Sequence, residues 1–303
     1  MKTKTKLQSR NSIPASKVHK KQSAMPRTEF IFRRSYRGRL KAALLDWAGT
    51  TMDYGCMAPA VVFVDVFKRK GVEITMAEAR EPMGAHKKVH IRQISTNEEV
   101  AKRWQQTHKR KPTEADVEAM FRDFIPLQLK CLAHYADLVP GTLETVAGLR
   151  RRGLKVGSTT GYTEEMMGIL QSEAKRRGYV PDATVCATQV PAGRPHPFMC
   201  LQNAILLQTY PLEAFVKIGD TLPDIEEGLN AGMWTIGLAK TGNEMGLTQE
   251  EVGALDSETR QARLARAYKR MHQTGAHYVV DSIAEVMPVL DEIDNRLAAG
   301  DRP

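Results

Sequence analysis

Asp46, Thr160, Arg194 and the pair Asp220 and Asp224 are the residues of this chain whose types and order could share one piece of chemistry. Asp46 follows the apolar run Ala42-Ala43-Leu44-Leu45 and precedes the small-residue turn Trp47-Ala48-Gly49-Thr50. Thr160 ends LKVGSTT, Arg194 lies in the loop AGRPHP, and Asp220 ends FVKIGD with Asp224 one helical turn on. Clustered carboxylates with waters are how proteins hold Mg²⁺ next to a phosphate. An Arg presents a planar fork of donors to phosphoryl oxygens. Taken singly, an Asp after a strand more often starts a turn or caps a helix; the ordered set is what points to a phosphoryl site.

The elements that must position these groups follow from periodicity. Ala42–Leu45 is too short an apolar run for a helix and reads as a buried strand. Ligands in an open α/β sheet bind just beyond the carboxyl ends of strands, which puts Asp46 at the lip of a sheet. Residues 57–71 then read as a helix stopped at Gly71, and Thr75-Met76-Ala77-Glu78 as a capping box for another. A helix over AHKKVHIRQI follows, and residues 97–137 read as helical, with starts at Asn97 and Thr113. From 138 onward helix and strand alternate, with strands at LKVGSTT, ATVCAT, FVKIGD, WTIGLA and AHYVVDS. That alternation predicts a parallel sheet with helices on both faces. The fold class is therefore α/β: a Rossmann-like parallel sheet core domain, 39–53 and 138–303, with an inserted helical cap domain, 54–137.

Composition narrows the function classes. The 303 residues are 42% hydrophobic and 26% charged, ordinary for a globular protein. No apolar run approaches the roughly 20 residues of a membrane span. Four cysteines without CxxC spacing argue against a zinc site or disulfide framework and fit a reducing, cytoplasmic setting. The net charge of +9 is not spread evenly: residues 1–40 hold twelve Lys/Arg and one acid, leaving 32 basic against 34 acidic side chains elsewhere. Residues 1–38 read as a basic disordered tail, a solvated extension or a nucleic-acid contact, and the body as near neutral.

The ordered set resembles the haloacid dehalogenase superfamily, whose members carry a phosphoryl group on the first Asp with Mg²⁺ neutralising charge. One departure matters. Most phosphatases of that superfamily have a second Asp two positions after the nucleophile, as general acid to the leaving oxygen; here it is Ala48. General acid catalysis is worth about 10²–10⁴ in rate, so its loss fits a leaving group that needs no proton there, such as carbon stabilised as an enamine. The expected cap helix supplies a candidate amine. Helical spacing puts Met83, Lys87, Ile91 and Ile94 on one face with His90 alongside, whereas Lys88 shares a polar face with Gly84, Arg92 and Ser95. Bringing a Lys from about 10.4 to near 7 takes roughly 4 kcal/mol, which burial beside apolar groups and a cation can supply. A lysine whose head reaches water is the alternative.

With LDWAGTTMDYGC, Pro82-Met83-Gly84 followed by Lys87 and His90, GSTTGYT, VPAGRPHP and KIGDTLPDIEEG, the chain from about Lys41 onward resembles the phosphonatase (phosphonoacetaldehyde hydrolase) family. The resemblance implies hydrolysis of a phosphorus–carbon bond to acetaldehyde and phosphate, in 2-aminoethylphosphonate degradation. It implies Asp46 as nucleophile and Lys87 as Schiff-base lysine. Mg²⁺ would be held by Asp46, Asp220 and the Ala48 carbonyl, with Asp224 behind them. Cys56, Met83, His90 and Tyr162 would surround the substrate, Thr160 and Arg194 would hold the phosphoryl group, and the chain would pair as a homodimer through its cap. His86 is left without a role. A phosphomonoesterase or phosphomutase of the same superfamily, and a nucleic-acid role for the tail, are the rival expectations.

Overall fold

The computed structural model describes residues 35–303. The expected basic tail, 1–38, lies outside the described residues except for its last four. Six parallel strands form one sheet: β1 (Ala42–Leu45), β2 (Lys155–Thr160), β3 (Ala183–Cys186), β4 (Phe215–Gly219), β5 (Trp234–Leu238) and β6 (Tyr278–Val280). Their order is β3-β2-β1-β4-β5-β6. The chain builds outward from β1 on one side and then restarts at β4 on the other. β1 therefore pairs with β2 and β4 both, and the crevice expected at such a reversal opens at their carboxyl ends.

The side chains of β1 alternate. Ala43 and Leu45 join the core with α6 (Thr142–Arg151) and α12 (Val286–Ala299), while Ala42 and Leu44 face Cys200, Ala204 and Leu207 of α8 (Phe198–Leu206) and the turn after it. Both faces of the strand are covered, which is why it reads as a continuous apolar run rather than an alternating one. α7 (Glu164–Arg176) follows β2, α9 (Leu222–Asn230) follows β4, and α10 (Gln249–Ala254) and α11 (Ser257–Thr274) lie between β5 and β6.

Between β1 and β2 the chain leaves the sheet for a helical layer: α1 (Met57–Arg69), α2 (Met76–Arg80), α3 (Lys87–Thr96), α4 (Glu98–His108) and α5 (Glu114–Leu132). It departs at Met52 and returns at Leu138, and these two residues pair antiparallel. Phe63 of α1 stacks on Phe124 of α5 at 4.6 Å, and Phe67 meets Trp104 of α4 edge-on. The capping box at Thr75 and the helix starts at Asn97 and Thr113 form as the sequence predicts, the last with a capping box of its own.

One expectation is corrected. The helix carrying Lys87 begins at Lys87 rather than Ala85, and the helical spacing used for Met83 does not reach back to it. Gly84 sits at φ +94°, which no right-handed helix accommodates, so Pro82–Ala85 form a turn and His86 caps a helix that starts at Lys87. Ser95 also leaves the expected polar face: it is buried, with its hydroxyl donating to the Ile91 carbonyl. Among the described residues no helix is long and apolar enough to cross a membrane.

Candidate active site

The ends of β1, β2 and β4 converge. Asp46 leaves β1, Thr160 ends β2, and Asp220 follows β4 at once. Asp224 enters on the first turn of α9, where Thr221 caps the helix and donates its hydroxyl to the Asp224 carboxylate. Oxygens of Asp46, Asp220 and Asp224 all lie within 4.8 Å of one another, and all three residues are buried.

A single guanidinium ties this cluster together. Arg194 Nη2 lies 2.6 Å from Asp46 Oδ1 and 3.0 Å from Asp224 Oδ1, and Nε lies 3.0 Å from Glu227 Oε2. Nη2 also donates to the carbonyl and hydroxyl oxygens of Thr159 at 2.9 and 2.8 Å. Behind it Lys217, buried in the middle of β4, pairs with Asp224 and sits 3.7 Å from Glu227. Burial alone would raise the Asp224 carboxyl, but Arg194 and Lys217 overcome it and hold the group below its ordinary value. Asp220 has no such cation. Burial, then the Asp46 and Asp224 charges, push it well above the carboxylate range, opposed only by the Asn243 N–H and the Thr50 hydroxyl. Asp46 is also pushed up by burial, with Arg194 opposing the rise.

The residues fit a divalent cation. Four buried carboxyl groups, Asp46, Asp220, Asp224 and Glu227, outnumber two buried cations, Arg194 and Lys217, and the upward push on Asp46 and Asp220 is what a bound cation would relieve. Two glycines press against Asp220: a Cβ on Gly49 would come to 2.3 Å of its carboxylate, and one on Gly242 to 2.0 Å of its Cβ. Hard oxygen donors of this kind suit Mg²⁺-like ions.

A narrow cavity of about 20 Å³ opens on this cluster. Asp46, Ala48, Thr160 and Arg194 line it from the sheet side, and Cys56, Met83, Lys87 and Tyr162 complete it. Lys87 is only 4% exposed. Its Nζ sits 4.5 Å from the centroid of the Tyr162 ring and 5.8 Å from that of Phe63. Among the described residues it has no ion pair. Burial, the largest influence, and Arg194 favour the neutral amine; Cys56, Asp46 and Asp53 favour the ammonium; the outcome is about 8. Lys88 instead turns outward and pairs with Glu118 on α5. A wider open groove of about 540 Å³, lined by Tyr54, Lys240 and Arg260, contains none of these groups; chemistry rather than size marks the site.

His90 does not line the cavity. It is fully buried, its ring stacked on Phe63 at 3.8 Å and its Nε2 2.8 Å from the Ala79 carbonyl. A carbonyl can only accept, so Nε2 carries the hydrogen, and burial holds the ring neutral. His86 acquires a role: its Nδ1 accepts from the Lys88 N–H at the start of α3. Three participants escape the sequence reading: Thr159, Lys217 and Glu227. Two of them carried a signal. A Lys inside a strand buried on both faces demands a counter-charge, and Asp224 and Glu227 stand three apart on one helix face.

A family model for haloacid dehalogenase-like hydrolases matches residues 40–232. A phosphonoacetaldehyde hydrolase of Nitratidesulfovibrio vulgaris is 49% identical over 274 residues, covering 90% of this chain and 98% of the relative. A phosphonoacetaldehyde hydrolase-like protein of Syntrophobacter fumaroxidans is likewise 49% identical, over 90% of this chain and 99% of its own length. The crystal structure of a phosphonoacetaldehyde hydrolase-like protein from Oleispira antarctica superposes with a TM-score of 0.88 at 41% identity, covering 91% of this chain and all of that one. On these matches and this sheet, the chain belongs to the haloacid dehalogenase-like hydrolases, within the phosphonoacetaldehyde hydrolase family.

Proposed function

We propose that this chain hydrolyses the phosphorus–carbon bond of phosphonoacetaldehyde, releasing acetaldehyde and phosphate, with Lys87 as the imine-forming amine and Asp46 as the nucleophile. One observation carries the reading: a buried lysine held near 8 and the strand-end Asp46 line the same small cavity, and Ala48 stands where an acid would otherwise serve an oxygen leaving group.

The Lys87 amine condenses with the aldehyde, expels water and becomes an iminium. Asp46 attacks phosphorus, the P–C bond breaks, and its electron pair moves into the iminium to leave an enamine. Protonation at carbon and hydrolysis free acetaldehyde and restore the amine. Water then cleaves the aspartyl phosphate. The net reaction consumes one water. Arg194 and Thr160 hold the phosphoryl oxygens, and Arg194 is already oriented by Asp46, Glu227 and Thr159 before substrate arrives. Electrostatic preorganisation of this kind is usually the largest catalytic term. A divalent cation, Mg²⁺ in this reading, held by Asp46, Asp220 and the Ala48 carbonyl with Asp224 behind, would neutralise charge on the transferring group. Tyr162, Cys56 and Met83 wall off the imine from water. The Cys56 thiol is driven well above its ordinary value by burial and stays protonated.

The helical layer, residues 54–137 in this reading, acts as the cap that brings Lys87 to Asp46. Pairing of two copies through it belongs to the same proposal, with Met76 and Val89 exposed on it by 38% and 37%. Sedimentation as a single copy would remove that part.

The test is borohydride reduction with phosphonoacetaldehyde, followed by peptide mass mapping, beside the variant Lys87→Arg. The expected result is a two-carbon adduct on Lys87, and loss of both adduct and turnover in the variant while its response to metal persists. An adduct on Lys88, or turnover surviving in Lys87→Arg, overturns the reading in favour of an ordinary phosphate-ester hydrolase.

A further inference from the structure

Arg80 is a further buried cation, and the mechanism above does not use it. It lies on α2 in the helical layer, 8% exposed, and among the described residues it has no carboxylate partner. Its Nη1 instead donates to the carbonyls of Gly55 and Cys56 at 2.8 and 3.2 Å, and to Asn243 Oδ1 at 3.3 Å. Asn243 returns the contact: its Nδ2 donates to the Arg80 carbonyl at 3.2 Å. The backbone N–H of the same asparagine donates to Asp220 Oδ2 at 2.8 Å. One residue thus grips the helical layer with its side chain and a carboxylate of the acidic cluster with its backbone.

The surrounding segments meet at the same place. The Gly55 N–H donates to the Thr241 carbonyl at 2.7 Å, and the Thr241 hydroxyl donates to the Gly49 carbonyl at 2.9 Å. A Cβ on Gly55, at φ +84°, would come within 2.3 Å of the Leu247 carbonyl. Asp53, Gly55 and Cys56 all have positive φ, so the chain turns sharply here as it enters α1. The segment leading into the helical layer, α2 and loop 241–247 are therefore fastened together around Arg80 and Asn243. Desolvating a guanidinium against neutral acceptors costs stability unless its donors are filled. Here Nη1 meets three oxygens drawn from both sides of the seam.

We infer that Arg80 and Asn243 form a latch that holds the helical layer shut over the cavity, and that Asn243 couples this closure to the position of Asp220. Both are positioning residues, since neither lines the cavity. The catalytic part of the inference rests on the function proposed above; the mechanical part does not. With the latch made, Lys87 stays dry over Tyr162. With it broken, α2 and the turn that follows it part from loop 241–247, and water reaches the amine.

The variant to test is Asn243→Ala, which deletes the side-chain grip and keeps the backbone N–H to Asp220, with Arg80→Lys as the second. Two measurements are made on the full chain. The first is hydrogen exchange without substrate or metal. Amides of residues 53–56 and 83–87 are expected to exchange about tenfold faster or more in both variants. Unchanged exchange in a variant that folds overturns the latch. The second is the pH dependence of borohydride trapping of Lys87. Its midpoint is expected to rise from about 8 toward the ordinary value near 10.4, with kcat/KM lowered about 10- to 100-fold. A merely structural loss would lower the melting temperature and leave that midpoint in place, and this result overturns the coupling. If the parent chain itself is not trapped, the proposed function fails, and the exchange measurement alone decides the latch.

Discussion

The ionisation of Lys87 can be worked through to a number. With its value at about 8, about 9% of the amine is free at pH 7, against about 0.04% for a lysine at 10.4. The gain of roughly 200-fold corresponds to about 3 kcal/mol, mainly from burial. The assay is the initial rate of borohydride-trapped imine, measured across pH with substrate in excess. That rate follows the free-amine fraction. It should rise about 50-fold from pH 6 to pH 8 and be nearly flat above pH 9, whereas an unshifted lysine would still gain about sevenfold between pH 9 and pH 10. The perturbation is Asp46→Asn. The Asp46 carboxylate raises the Lys87 value, because an anion stabilises the ammonium. Removing that charge should move the midpoint down while phosphate release disappears and the adduct survives. A trapping rate that keeps climbing past pH 10, or a midpoint that moves up in Asp46→Asn, would refute the reasoning.

Three further outcomes are expected. Arg194→Lys keeps a charge but cannot span Asp46, Glu227 and Thr159 together, so kcat/KM should fall by about 10²–10³ with Lys87 still trapped; undiminished turnover would show that the fork is not needed. Asp220 has a folded-state value raised above its unfolded one, so its contribution to stability is present at low pH and lost as pH rises through the folded value. Asp220→Asn should therefore melt higher than the parent at neutral pH without metal, and should lose the upward shift that added Mg²⁺ gives the parent; a shift kept in full by the variant would remove Asp220 from the metal site. Gly84→Ala places a Cβ 2.4 Å from Thr221 Oγ1 at φ +94°, which strains the turn and props the helical layer open. KM should rise and the melting temperature fall, and an unaltered KM would contradict a tight seam at that point.

The sheet was legible because its strands are short apolar runs stopped by turn residues, and because the carboxylates come directly after them. Asp46 and Asp220 were readable as members of an ordered set, since each directly follows a buried parallel strand and the strand ends share one edge of the sheet. Lys87 was separable from Lys88 by helical spacing even though the helix begins two residues later than expected: the relation among Lys87, Ile91 and Ile94 does not depend on Met83. Met83 reaches the same cavity from a turn, a geometry that periodicity cannot represent. Glu227 escaped because its arginine partner is distant in sequence. Arg194 stands 33 residues from Glu227, and only the sheet order brings the two together. Asn243 was invisible for the same reason: what it does is set by a loop folding back over Asp220, with no local pattern to announce it.

The antiparallel pair Met52 and Leu138 has a consequence for how such a chain can diversify. Both crossings between sheet and helical layer occur side by side, so everything between them hangs from a single doorway. A segment attached in that way can be exchanged, lengthened or rebuilt without re-registering any strand. On the function proposed above, the half of the site that grips phosphorus and the half that meets carbon are thus separate pieces of chain, and the second can change while the sheet edge stays as it is.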